Sequence, residues 1–164
     1  VEMQANHIAS AFAIQASGTS RTLYLPDHLS ETAYKTMIKE PVIKEMIDLY
    51  DQTNIVIHGI GDAKEMARRR NSSNEELDII LQKEAVGEAF GYYFNEQGKA
   101  VHRIRTVGIQ LKQLKHAQHL LAVAGGASKA SAILSYLKHA PNQTVLITDE
   151  GAANKITQLL SNEN

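Results

Sequence analysis

The last third of the chain constrains the fold most. An apolar run at 120–124 leads into Gly125-Gly126-Ala127-Ser128. A helical pattern follows at 129–138, then a second apolar run at 145–148 and a helical pattern from Asp149 through Leu160. Strand, turn, helix, strand, helix in that order builds parallel strands joined by right-handed crossovers. The runs are apolar throughout rather than alternating, as strands buried on both faces require. The spacing therefore predicts an α/β fold, a mostly parallel sheet with helices on both faces.

The rest of the chain fits that frame. Residues 2–16 read as a helix carrying Met3, Ile8, Phe12 and Ile14, closed at Ser17-Gly18. Leu23-Tyr24-Leu25 reads as a short strand stopped by Pro26. Ser30 is placed to cap a helix with Tyr34, Met37 and Ile38, and Pro41 to open one with Ile43, Met46, Ile47 and Tyr50. Asn54-Ile55-Val56-Ile57-His58 is another buried-type strand. It ends in Gly59-Ile60-Gly61-Asp62, where Asp62 caps a helix over 63–70, and a further helix covers 75–85. Residues 89–94 read as one strand, with 100–105 as its hairpin partner across Asn95-Glu96-Gln97-Gly98.

Composition narrows the class. The chain has 164 residues, 43% hydrophobic and 21% charged, enough for one globular domain with a real core. There is no cysteine, which excludes disulfides and thiolate metal sites. The net charge is -1, so the basic surplus of a DNA-binding module is missing, and any DNA contact belongs to another domain. No apolar run reaches membrane-spanning length and no signal-peptide pattern opens the chain, so a cytoplasmic location is expected. A start at Val1, directly in a helical pattern, reads as an N-terminally truncated domain spanning 1–164.

Three segments fall at carboxyl ends of expected parallel strands: 59–62, 125–129 and 148–151. Ligands bind there in open α/β sheets. Gly59, Gly61, Gly125 and Gly126 let backbone approach a ligand, and the helix starts behind them favour anions. Lys129 stands in a first helical turn, against the helix dipole. It is either a solvated lysine or a cation answering a bound anion. Ala127 and Ser128 intervene between the glycines and the lysine, so this is not an NTPase phosphate loop. Arg68-Arg69-Arg70 spans much of a helix circumference, so one of the three is free to turn inward and meet an anion. Glu88 precedes an aromatic strand and suits either an ion pair or a sugar hydroxyl. The seven histidines (His7, His28, His58, His102, His116, His119 and His139) lack zinc-type spacing, so no metal or cofactor is expected. Asp149-Glu150 reads as a helix cap and first-turn charge rather than a catalytic pair.

The motifs in order are His58-Gly59-Ile60-Gly61-Asp62-Ala63, Met66-Ala67-Arg68-Arg69-Arg70-Asn71, Glu88-Ala89-Phe90-Gly91-Tyr92-Tyr93-Phe94-Asn95, Val107-Gly108-Ile109-Gln110-Leu111, Ala122-Val123-Ala124-Gly125-Gly126-Ala127-Ser128-Lys129-Ala130 and Thr148-Asp149-Glu150-Gly151-Ala152-Ala153. From Gln4 to about Leu160 this series resembles the sugar-binding domain of the SorC family of bacterial transcriptional regulators. The resemblance implies a Rossmann-like fold related to sugar-phosphate isomerases and CoA transferases. It implies a repressor of glycolytic genes whose effector is a phosphorylated sugar such as fructose 1,6-bisphosphate, acting on DNA binding and oligomerisation. By motif match the effector contacts would be Gln4, Arg69, Glu88 and Lys129. The partners implied are the effector, a second copy in a homo-dimer or tetramer, and DNA through a winged-helix domain outside these residues, with no membrane. The family's Gly-Gly-Thr-type loop and a further arginine precede this segment in its members, and neither is among these residues. Two other readings stand beside it. One is a sugar-phosphate isomerase-like enzyme with Glu88, or Asp149 with Glu150, as base. The other is an oligomerisation module using the hairpin 89–105 and the helices near 34–50.

Overall fold

The computed structural model describes residues 5–26 and 29–162. Met3, Gln4 and His28 lie outside the described residues. In chain order the elements are α1 (Ala5–Gln15), α2 (Glu31–Met37), α3 (Pro41–Tyr50), β1 (Ile55–Gly59), β2 (Gly61–Asp62), α4 (Ala63–Arg69), α5 (Asn74–Gln82), β3 (Ala85–Ala89), β4 (Tyr92–Asn95), β5 (Ala100–Arg103), α6 (Leu111–Leu114), β6 (His119–Val123), a 3-10 turn (Ala127–Lys129), α7 (Ala130–Leu137), β7 (Thr144–Ile147) and α8 (Glu150–Asn162). No helix among the described residues is long and apolar enough to cross a membrane.

The class is α/β, as the sequence predicts. Three parallel strands lie in the order β1-β6-β7, with Ile57 opposite Leu121 and Leu121 opposite Val145. A second, antiparallel sheet runs β2-β3-β4-β5. It extends the expected hairpin by two strands, because the chain pairs Gly61 with Glu88 before α4 begins. The central core joins the layers. Ala122 and Ala124 of the parallel sheet, Ala89 and Phe94 of the antiparallel one, Ala132, Ile133 and Tyr136 of α7, and Ala152 of α8 form one buried cluster. α7 sits close on β3 because Gly87 has no side chain. A Cβ there would stand 3.0 Å from the Ala132 backbone.

The parallel strands are buried on one face only. Val56, Leu120 and Ala122 point into the core, whereas Ile55, Ile57, Val123, Val145 and Ile147 stay exposed on the other. Ile55, Ile57 and Val123 line an open apolar cleft of about 1000 Å³, with Ile8 and Phe12 of α1 across it.

Two local expectations differ from the structure. Residues 23–25 form no strand, and Tyr24 is 85% exposed. The apolar triplet has β propensity but no strand to pair with among the described residues, and propensity without a partner does not hold a strand. Residues 89–94 are not one strand but the arms of a tight hairpin. Phe90 and Gly91 take φ of 58° and 82°, and Ala89 pairs with Tyr92 across them. That is the two-residue turn whose twist matches a hairpin, with an uncommon phenylalanine in its first left-handed position. His58 packs against Phe90 and Tyr136 at ring-centroid distances of 4.4 and 5.1 Å.

Candidate functional site

The in-register parallel pairing brings the carboxyl ends of β1, β6 and β7 side by side. Gly59 closes β1 opposite Val123. Ala124 N–H donates to the Ile147 carbonyl at 3.1 Å, and Thr148 Oγ1 donates to the Ala124 carbonyl at 2.7 Å. The rim at these ends therefore contains the three segments that the sequence singles out. β2 packs against the 3-10 turn, so Gly61 and its partner Glu88 adjoin the loop that carries Lys129.

The loop 125–129 is shaped by its glycines. Gly126 takes φ of 93°, and a Cβ on Gly125 would lie 2.5 Å from Asp149 Oδ2. Lys129 N–H donates to the Gly126 carbonyl. The amides of Ala127 and Ser128 have no backbone acceptor among the described residues, as expected for the first donors of a helix. Lys129 makes no ion pair with a described residue. One open lysine and two open amides form a cradle with anion-binding chemistry.

Glu88 is held rigidly. It is 4% exposed, and its Oε1 accepts from Gly91 N–H at 2.6 Å and from the Arg70 guanidinium at 3.0 Å. Arg70 also donates to the Tyr93 hydroxyl at 3.3 Å. Burial works against the Arg70 charge, and the Glu88 carboxylate with the Tyr93 hydroxyl outweighs it, so the guanidinium pKa is held above its ordinary value. Burial also pushes the Tyr93 phenol up. Glu88 Oε2 points past Gly61, where a Cβ would stand 3.8 Å from it. One oxygen braces the hairpin turn, and Oε2 accepts no hydrogen bond from a described residue.

The inward arginine of the run is Arg70, with a side chain 14% exposed, while Arg69 is about half exposed and pairs with Glu65 at 2.8 Å. A helical signal for this exists in the sequence. Ala63 and Ala67 are the buried positions of α4, and Arg70 lies at i+7 from the first and i+3 from the second, on the same face. The structure thus brings together Gly59, Gly61, Glu88, Gly125, Gly126 and Lys129 around the strand ends. It leaves Arg69 on the exposed side of α4, and Gln4 lies outside the described residues. Sequence reasoning missed Tyr93 and the second contact of Asp149, whose Oδ2 accepts from Gly126 N–H at 2.7 Å.

Comparison with known proteins fits this geometry. Residues 1–158 match the family model of a sugar-binding domain, Sugar-bind. The chain is 49% identical over 156 residues to the Central glycolytic genes regulator of Bacillus subtilis (strain 168), covering 95% of this chain and 46% of that protein. It is 48% identical over 158 residues to the regulator of the same name from Priestia megaterium, covering 96% and 46%. A crystal structure of a SorC family transcriptional regulator from Enterococcus faecalis superposes with a TM-score of 0.87 at 47% identity, covering 94% of this chain and 62% of the other. The chain spans about half the length of the curated relatives it matches. It belongs to the sugar-binding domain family of SorC-type transcriptional regulators.

Proposed function

We propose that this chain is the effector-sensing part of a bacterial repressor of glycolytic genes, and that its effector is a phosphorylated sugar such as fructose 1,6-bisphosphate. The observation that carries this reading is the pairing of an anion cradle (Lys129 with the amides of Ala127 and Ser128) with a carboxylate oxygen, Glu88 Oε2, across Gly61. The cradle takes a phosphate and Glu88 accepts from a sugar hydroxyl. Arg69 adds positive charge from the end of α4, and Gln4 contributes an amide. The neighbouring regulators support the biological setting. DNA contact belongs to a domain outside these 164 residues, and the working form is a homo-dimer or tetramer in the cytoplasm.

Binding rather than catalysis suits the groups present. A general base needs a free, poised atom near the substrate. Both Asp149 oxygens are committed to the Ala152 and Gly126 amides, both His58 nitrogens are engaged by the Gly59 carbonyl and the Tyr136 hydroxyl, and among the described residues no histidine contacts Glu88 to relay a proton. Calorimetric titration of the full chain with fructose 1,6-bisphosphate tests the reading. Saturable binding that is weakened about tenfold or more in Lys129→Ala supports it, since a hydrogen bond to a charged group contributes roughly 1.5–3 kcal/mol. Binding that ignores Lys129→Ala contradicts it.

A further inference from the structure

Asp149 is the N-cap of α8, and its Oδ1 accepts from Ala152 N–H at 2.8 Å. That duty alone does not call for a carboxylate. Elsewhere in this chain Ser30 caps α2 and Ser73 caps α5, each through a single hydroxyl. A serine cap would also avoid placing negative charge beside a cradle for anions, where it repels the ligand. The carboxylate makes a second contact through its other oxygen. Its Oδ2 accepts from Gly126 N–H at 2.7 Å. Two oxygens on one planar group therefore tie the turn after β6 to the turn after β7.

The loop has been fitted around this tie. Gly125 passes so close to Asp149 that a Cβ would stand 2.5 Å from Oδ2 and 3.1 Å from the carboxyl carbon. Gly126 turns with φ of 93°, a conformation that L side chains rarely adopt. Beyond this pair the next two amides, of Ala127 and Ser128, are left open, and Lys129 follows. Thr148, next to Asp149, adds a second strut through its hydroxyl to the Ala124 carbonyl.

We propose that Asp149 is a positioning residue for effector binding: its carboxylate fixes the Gly125–Gly126 turn so that the Ala127 and Ser128 amides and Lys129 converge on one phosphate group. This rests on the reading of the cradle as the phosphate subsite. The acid raises anion affinity through geometry although its charge opposes it, and these two effects have opposite signs, so they can be separated.

The test is calorimetric titration of the full chain with fructose 1,6-bisphosphate, using wild type, Lys129→Ala, Asp149→Ser and Asp149→Asn, with thermal unfolding of each. Asp149→Ser keeps a cap for Ala152 and loses the tie to Gly126. The expected result is an unfolding midpoint close to wild type with affinity reduced about tenfold or more. Asp149→Asn removes the negative charge and presents an N–H group to one of the two backbone donors. Positioning requires weaker binding, whereas charge alone requires tighter binding. Wild-type affinity in Asp149→Ser, or tighter binding in Asp149→Asn, overturns the inference while a weakened Lys129→Ala leaves the phosphate reading intact. If Lys129→Ala binds as wild type, the cradle reading fails and the inference falls with it.

Discussion

Removing Arg70 deprives a buried carboxylate of its counter-ion. Glu88 is 4% exposed and the Arg70 side chain 14%, so water can replace little of what either loses. In Arg70→Leu, Glu88 Oε1 retains only the Gly91 amide. In Glu88→Gln, the guanidinium keeps hydrogen bonds to the amide oxygen and to the Tyr93 hydroxyl at 3.3 Å but loses its counter-ion. Breaking a buried pair from one side costs about 3–5 kcal/mol. Domains of ordinary stability have roughly 5–15 kcal/mol in total. With a urea slope of about 2 kcal/mol/M, a loss of 3 kcal/mol moves the midpoint down by about 1.5 M. The double variant is different, because a neutral glutamine beside leucine leaves no uncompensated charge and still accepts from Gly91 N–H. Its expected cost is no greater than that of the worse single variant, giving a large coupling in the double-mutant cycle. The assay is urea unfolding followed by circular dichroism on all four proteins. Single variants that each cost under about 1 kcal/mol and add independently would refute the reasoning.

Three other outcomes follow from particular contacts. Gly91→Ala forces a side chain into a φ of 82° and places its Cβ 2.7 Å from the Ile104 carbonyl oxygen, so a loss of about 1–3 kcal/mol is expected in the same unfolding assay. His58 donates from Nδ1 to the Gly59 carbonyl and accepts at Nε2 from Tyr136, whose phenol burial pushes up to about 12; burial in turn holds the His58 pKa below its usual 6.5. The unfolded chain therefore takes the proton first, and stability falls as pH drops below about 6.5. Unfolding midpoints at pH 7.5 and 5.5 should differ less in His58→Asn than in wild type. Arg69→Ala should weaken fructose 1,6-bisphosphate binding and lower its salt dependence, measured by titration at two ionic strengths.

Much of the α/β frame is legible in the sequence, because its signals are local. Long apolar runs, glycines directly after them and capping residues such as Ser30, Asp62 and Asp149 each fix one element edge. What is not legible depends on partners distant in sequence. Residues 23–25 look like a strand until the fold shows that no described strand pairs with them. Phe90-Gly91 hides a hairpin turn, because phenylalanine is a strand former, yet here it takes the left-handed position, with Gly91 after it and Glu88 accepting from the Gly91 amide. The antiparallel sheet is larger than one hairpin, since the pairing of Gly61 with Glu88 joins residues 27 apart. Among the site residues, Glu88, Lys129 and the glycines stand out by their place at strand ends. Arg70 is separable from its neighbours only through its register with Ala63 and Ala67. The tie from Asp149 to Gly126 is invisible until β6 and β7 are placed side by side.

If the cradle at the strand ends recognises the phosphate of a sugar, a thermal-shift comparison on the full chain separates fructose 1,6-bisphosphate from free fructose. A ligand at 100 times its dissociation constant stabilises the folded state by about 2.7 kcal/mol. The expected result is a rise in midpoint that grows with the logarithm of bisphosphate concentration, is absent with fructose, and is reduced in Lys129→Ala. An equal response to both sugars, or none to the bisphosphate, would contradict it.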